Sequence, residues 1–139
     1  MVFCRVINME NRVHLWMGSN FSSEEEYMHY FELDYSAEDG IDSPNYRVCG
    51  FCKDLGIVWY DEDFIGVIPR FDNNVTLDEV LVDAAVDKSE IPLIKAKCEE
   101  LGINSANAIF WYQDPELVIK ERDNQTYNNL HYIGEYNGD

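Results

Sequence analysis

Cys49-Gly-Phe-Cys52 is the pair with the most obvious chemical option in this chain. A dithiol at that spacing becomes a redox couple when a helix N-terminus lowers the pKa of its first thiol. Such a couple wants a clean strand before it and a long amphipathic helix after it, whereas Lys53-Asp54-Leu55-Gly56 stops a helix within a turn or so. A structural zinc site needs four ligands, and one such pair supplies two. Cys4, Cys98, His14, His29 and His131 are scattered, with no second paired motif. Two cysteines used as small buried apolar groups are the simpler expectation, with no metal and no cofactor.

Asp61-Glu62-Asp63 offers carboxylates at alternating positions, the kind of oxygen ligands that hard cations prefer. The Asp-x-Asp-x-Asp-Gly order of a calcium loop is absent, because Phe64 and Ile65 follow directly. Paired carboxylates also serve as general acids and bases, but no His, Lys or Ser stands near in sequence to complete such a site. Turn formation is the plainer use of these acids. His14 sits inside an apolar run and reads as a hydrogen-bonded core or face histidine. His29 reads as a surface residue, and His131 as part of a late strand. No histidine stands at a recognisable spacing from a nucleophile, so no catalytic residue is assigned. A small metal-dependent or thiol-based enzyme built on Asp61, Asp63, His14 or the cysteine pair is the alternative reading, and an acidic adaptor subunit is another.

Charge points toward binding. The chain carries 27 Asp and Glu against 10 Lys and Arg, a formal net charge of −17. The excess is uneven. From Val13 to Asp87 there are 17 acids and only three bases, Arg47, Lys53 and Arg70. Such a field repels nucleic acid and anionic membranes and attracts basic partners, although acids also simply keep a small protein soluble. There is no glycine-rich phosphate loop, no Walker lysine and no basic stripe with interleaved aromatics. No run of 18 apolar residues is present, and Met1 to Glu10 is too short and polar for a secretory signal. A cytoplasmic protein with reduced thiols is therefore expected, Met9 being a plausible start and residues 1–11 an N-terminal extension.

The elements that must position these groups fit one domain over residues 12–139. Val13 to Met17, ending at Gly18, reads as a strand. Ser23 and Glu26 form a capping box for a helix to about Leu33 that buries Tyr27, Met28 and Phe31. Asp34 to Asn45 is a loop by its turn residues. A short helix over Phe51–Leu55 should stop at Gly56, before a strand begins at Ile57–Tyr60; Phe64–Ile68 reads as a strand stopped by Pro69. Thr76 and Glu79 open a second helix with an apolar stripe at Leu77, Val80, Leu81, Ala84 and Ala85. Ser89 caps a third, burying Ile91, Ile94, Cys98 and Leu101 and ending at Gly102. Ala108–Tyr112 is a central strand, with Leu117–Ile119 and His131–Ile133 as further strands. The expected fold is α+β: a mostly antiparallel or mixed sheet of four to six strands packed with about three helices.

Several of these stretches resemble the immunity protein 22 family of bacterial polymorphic-toxin loci. They are Val13-His-Leu-Trp-Met-Gly18, Phe21-Ser-Ser-Glu-Glu-Glu-Tyr27, Phe51 to Asp54, Gly56-Ile-Val-Trp-Tyr-Asp-Glu-Asp-Phe64, Ala106-Asn-Ala-Ile-Phe110 and Tyr132-Ile-Gly134. The Trp-Tyr-Asp-Glu-Asp-Phe stretch is the most specific. The resemblance implies a non-catalytic cytoplasmic α+β inhibitor that neutralises a cognate toxin domain. It leaves the toxin class open and does not explain Cys49 and Cys52.

With that resemblance, the aromatics set among acids become candidate anchors inside a charged rim. The expected partner is a basic toxin, a nuclease being one class that carboxylates in place of phosphates would block. The expected partner-binding residues are Glu24, Glu25, Tyr30, Asp34, Tyr35, Glu38, Asp39, Asp42, Tyr60, Asp61, Glu62 and Asp63. Trp16, Phe31, Phe64 and Trp111 are expected in the core.

Overall fold

The computed structural model describes residues 11–36, 40–120 and 125–139. The N-terminal extension, apart from Asn11, lies outside them, as do Cys4, Glu38, Asp39 and the start of the turn-rich stretch from Asp123.

Strand β1 (Arg12–Gly18) organises the fold, and its sequence explains why. Val13, Leu15 and Met17 pack on one side with Val80, Ile94 and Cys98, while Trp16 packs on the other with Tyr27, Phe51 and Phe110. A strand buried on both faces cannot alternate apolar with polar, so it reads as a nearly continuous apolar run. It lies between β5 (Ala108–Gln113) and β6 (Leu130–Asn137), antiparallel to both. The edge strand β2 (Ile65–Val67) pairs with β5 and completes a four-stranded sheet in the order β2-β5-β1-β6. A two-stranded ribbon, β3 (Val75–Thr76) with β4 (Ser105–Ala106), stands apart. Among the described residues, six strands in two antiparallel sheets and four α-helices make the expected α+β fold.

Helices cover both faces. On the aromatic face lie α1 (Glu24–His29), capped by Ser23, and α2 (Gly50–Leu55), capped by the sulfur of Cys49. On the aliphatic face lie α3 (Leu77–Leu81), capped by Thr76, and α4 (Ile91–Glu100). Three of the four run for two turns or fewer, too short to hold themselves, so their helicity comes from packing on the sheet.

Several local expectations change. Ile57–Tyr60 and Leu117–Ile119 form no strand. Gly56, at a φ of +76°, ends α2 in the left-handed region, and the chain leaves it extended but unpaired. Helix α3 stops at Leu81, so of the predicted stripe Val80, Leu81 and Ala84 are buried and Ala85 is not. Asp87, not Ser89, caps the entry to α4: its carboxylate accepts from the Ser89 amide and starts a single 3-10 turn that feeds the helix. Ile94 and Cys98 are buried there, and Leu101 is exposed. Met28 also faces out, being one position past Tyr27 on a helix that buries a narrow stripe.

The buried histidine and asparagines, His14, Asn20 and Asn107, are hydrogen bonded, as burial favours, whereas among the described residues the Trp16 indole N–H and the Tyr27 hydroxyl are buried without a partner. Asn107 accepts from the Asn20 amide at 2.8 Å and donates to the carbonyls of Asn20 and Phe71, tying two loops to the end of β1. His14 is the other prominent case and belongs to the site below.

Candidate functional site

Strand register separates the acids of the N-terminal two-thirds into two groups. Ile65, Tyr112, His14 and Glu135 form one row across the sheet, and the Asp61–Asp63 turn stands beyond the Ile65 end of β2. At the other end of β1, Arg70 donates to the carbonyls of Asn20 and Ser22 and pairs with Glu24 at 3.4 Å. His14 and Asn20 are six residues apart along an extended chain, roughly 20 Å. Glu24 and its neighbour Glu25 therefore do not join Asp61–Asp63 on one surface. Glu24 is also partly neutralised by Arg70, whose guanidinium lies 4.4 Å over the Tyr27 ring.

The acids near β2 do come together. Asp34 folds its own loop, its carboxylate accepting from the amides of Ser36 and Arg47, each at 2.9 Å, and from the Ser36 hydroxyl. The Ser36 hydroxyl above all, with the Arg47 and Ser36 amides, holds the Asp34 carboxyl at about 2 against an ordinary 3.8. Next to it, the Tyr35 hydroxyl donates to the Glu62 carboxylate and joins this loop to the Asp61–Asp63 turn. That bond raises the Tyr35 pKa, since an ionised phenol beside a carboxylate is penalised. Asp61 caps the 3-10 turn Glu62–Phe64 by accepting from the Asp63 amide at 3.0 Å. Asp42 is exposed in its own single turn, Gly40–Asp42, and among the described residues no hydrogen bond or ion pair joins it to the others.

The aromatics around this turn reverse the expectation. Tyr60 is only 2% exposed, and its hydroxyl donates to the Phe31 carbonyl while its ring stands edge-on to Phe51 at 5.1 Å. It is a core residue, not a surface anchor. Phe64, expected in the core, is 49% exposed, as is Trp59. The reason is the turn itself: the capping carboxylate of Asp61 bends the chain between Tyr60 and Ile65, so Phe64 precedes the strand and is swung outward. Trp111 is only half-buried, and its indole lies over Gly66 on β2. Tyr30 is half-buried too, its hydroxyl donating to Asp54 at 2.6 Å, which commits it to holding α1 against α2. Tyr35, at 75% exposed, remains available. In the sequence the Trp59–Phe64 stretch stands out for its rings among acids, but Trp59 is not among the expected partner-binding residues and Phe64 is expected in the core, though Asp61-x-Asp63, a side chain capping the amide two residues on, is a visible turn signal.

Beneath the turn, His14 is 2% exposed and lies between Tyr132 and the Asp114 carbonyl. A carbonyl only accepts, so the Asp114 contact at 3.2 Å assigns the proton to Nε2. Nδ1 then accepts from the Tyr132 hydroxyl at 2.7 Å. Burial lowers the His14 pKa and outweighs Glu135, whose carboxylate is 3.7 Å from Nε2. The neutral imidazole therefore serves as a structural bridge.

Cys49 and Cys52 are wholly buried among aromatic rings and are free thiols. The Cys52 amide donates to the Cys49 sulfur at 3.4 Å, and hydrogen bonding from Cys52 lowers the Cys49 pKa. The same contact and burial raise that of Cys52. A thiol-based enzyme needs its sulfur reachable, and neither is. Among the described residues, no three His, Cys, Asp or Glu side chains converge as a metal site, and no helix is long and apolar enough to cross a membrane.

A sheet covered on both faces, with its histidine and thiols committed internally and acids and aromatics gathered at one end, is a small α+β domain whose surface chemistry suits binding. The family described as Immunity protein 22 matches residues 13–139, and the chain belongs to that family. No curated protein and no solved structure matches it.

Proposed function

We propose that the chain is a cytoplasmic immunity protein that binds a cognate toxin domain of basic character through the end of the sheet where β2 begins. The observation that carries this reading is the turn Asp61–Asp63, which sets the half-exposed rings of Trp59 and Phe64 beside Asp61 and is joined through Glu62 to the neighbouring loop of Asp34 and Tyr35. Apolar anchors within a charged rim are the usual anatomy of a specific interface. The net charge of −17 adds long-range attraction for a basic partner, which speeds encounter more than it deepens affinity. A toxin that handles nucleic acid, a nuclease above all, carries such a basic surface. Glu24, Glu25 and Asp42 contribute to the field and stand away from the anchors.

Coexpression with the toxin domain encoded beside this gene tests the proposal. Protected cells and a complex that survives purification are expected, with an association rate that falls as salt is raised. Unabated killing with no co-purifying complex sinks it.

A further inference from the structure

We infer that the groove between Trp59 and Phe64 seats an arginine side chain of the partner. This rests on the reading of the chain as an immunity protein for a basic toxin and names the chemistry of the contact.

Trp59, Phe64, Tyr112 and Pro115 wall the groove, and Asp61 and Asp114 supply its carboxylates. Two large rings stand half in water beside one groove, and rings gathered at a concave, acid-lined surface are the kind of apolar patch on which something docks. Among the described residues, no lysine or arginine lines the groove and neither Asp61 nor Asp114 takes part in an ion pair. The occupant that complements such a lining is a cation with an apolar stem.

Both carboxylates are held in place before any partner arrives. Asp61 accepts from the Asp63 amide and Asp114 from the Glu116 amide, each through Oδ1 at 3.0 Å. Their main chains are anchored as well: the Asp61 amide donates to the Tyr112 hydroxyl at 3.0 Å, and the Asp114 carbonyl accepts from buried His14. A groove fixed in this way loses little entropy on binding.

Guanidinium fits better than ammonium. Its flat face stacks on Trp and Phe, it sheds water more readily, and its edge presents N–H groups to carboxylates. A lysine offers a compact, strongly hydrated charge with no face to stack.

Two measurements test this. The first titrates isotope-labelled protein with N-acetyl-arginine methylamide and, separately, with N-acetyl-lysine methylamide, following amide and indole N–H signals by NMR. Saturable shifts centred on the Trp59 indole and on residues 61–64 and 112–115, larger for arginine, are expected. Equal or diffuse shifts for the two probes overturn the inference. The second measures affinity for the neighbouring toxin domain. Trp59→Leu and Asp114→Asn should each weaken binding roughly tenfold to a hundredfold. The paired change Glu99→Gln with Glu100→Gln removes two exposed charges on α4 and should change it little. Phe64→Ala provides an independent variant should Trp59→Leu fold poorly. Unchanged affinity in a complex that still forms refutes the arginine seat and leaves the immunity role standing. Failure to form any complex refutes the immunity role, and the probe titration then decides the groove alone.

Discussion

Replacing Tyr60 by phenylalanine removes one oxygen atom from a fully packed site, whereas replacing its neighbour Trp59 by leucine removes half a ring from a surface. Tyr60→Phe keeps the edge-on contacts to Phe51 and Tyr112 and leaves the Phe31 carbonyl without its donor. An unsatisfied buried acceptor costs about 1–3 kcal/mol. At roughly 3–4 °C per kcal/mol for a domain of this size, the melting temperature should fall by about 6–8 °C for a loss in the middle of that range. Trp59 covers only about half of its roughly 200 Å². Leucine replaces most of that cover, and a deficit of roughly 40 Å² at about 25 cal/mol per Å² comes to about 1 kcal/mol. Binding should separate the two variants in the opposite sense, with Tyr60→Phe close to wild type toward the toxin domain and Trp59→Leu clearly weaker. Urea denaturation gives the stabilities, and calorimetric titration gives the affinities. If Tyr60→Phe lost binding at unchanged stability, the assignment of Tyr60 to the core and Trp59 to the interface would be wrong.

Three further outcomes follow from the geometry. Burial holds the folded-state pKa of His14 below its unfolded value of 6.5, so protonation favours the unfolded chain; the stability is full above that value and declines as pH falls below it toward the folded pKa. His14→Gln should flatten that decline in urea titrations run between pH 7.5 and 5, and an unchanged slope would remove His14 as its cause. A Cβ added at Gly66 would meet the Trp111 indole at 2.1 Å, so Gly66→Ala should cost about 1–3 kcal/mol and shift the tryptophan emission. The same change in a Trp111→Ala background should cost much less, and equal costs would mean that the indole is not the obstacle. Finally, with Cys4→Ser removing the thiol outside the described residues, the three remaining buried cysteines should react with a disulfide reagent only as fast as the domain opens. Prompt labelling of Cys49 would revive the redox reading.

The parts of the fold written in local chemistry were legible. Ser23 and Thr76 cap helices because their hydroxyls reach the amides three residues on, and Gly56 and Gly102 adopt positive φ where helices end. Apolar runs marked β1 and β5 for the same reason, since a strand covered on both faces has no polar side to show. What failed depended on partners far away in sequence. Ile57–Tyr60 has strand composition and finds no neighbour to pair with, because β2 takes the edge of β5 from Ile65, directly after the Asp61 turn. The ribbon of β3 and β4 is two residues a side, below any pattern a sequence can show.

The candidate site was legible as a stretch and not as a surface. Trp59 to Phe64 drew attention through acids and rings in close succession, and those residues do hold the groove walls and the rim. Which ring faces water was decided by two contacts invisible in one dimension: the Phe31 carbonyl that draws Tyr60 inward, and the Tyr112 hydroxyl that receives the Asp61 amide. With the Tyr60 side chain and the Asp61 amide both held by the core, the capping turn at Asp61 carries Phe64 out beside Trp59. Asp114 enters for the same reason, delivered from the far end of β5 through its bond with His14. On the proposed reading, charge draws in a basic partner, and the core beneath the turn sets the groove that would grip it. Tyr112→Phe, which preserves every acid but removes the hydroxyl that receives the Asp61 amide, should keep fast encounter and lose slow release.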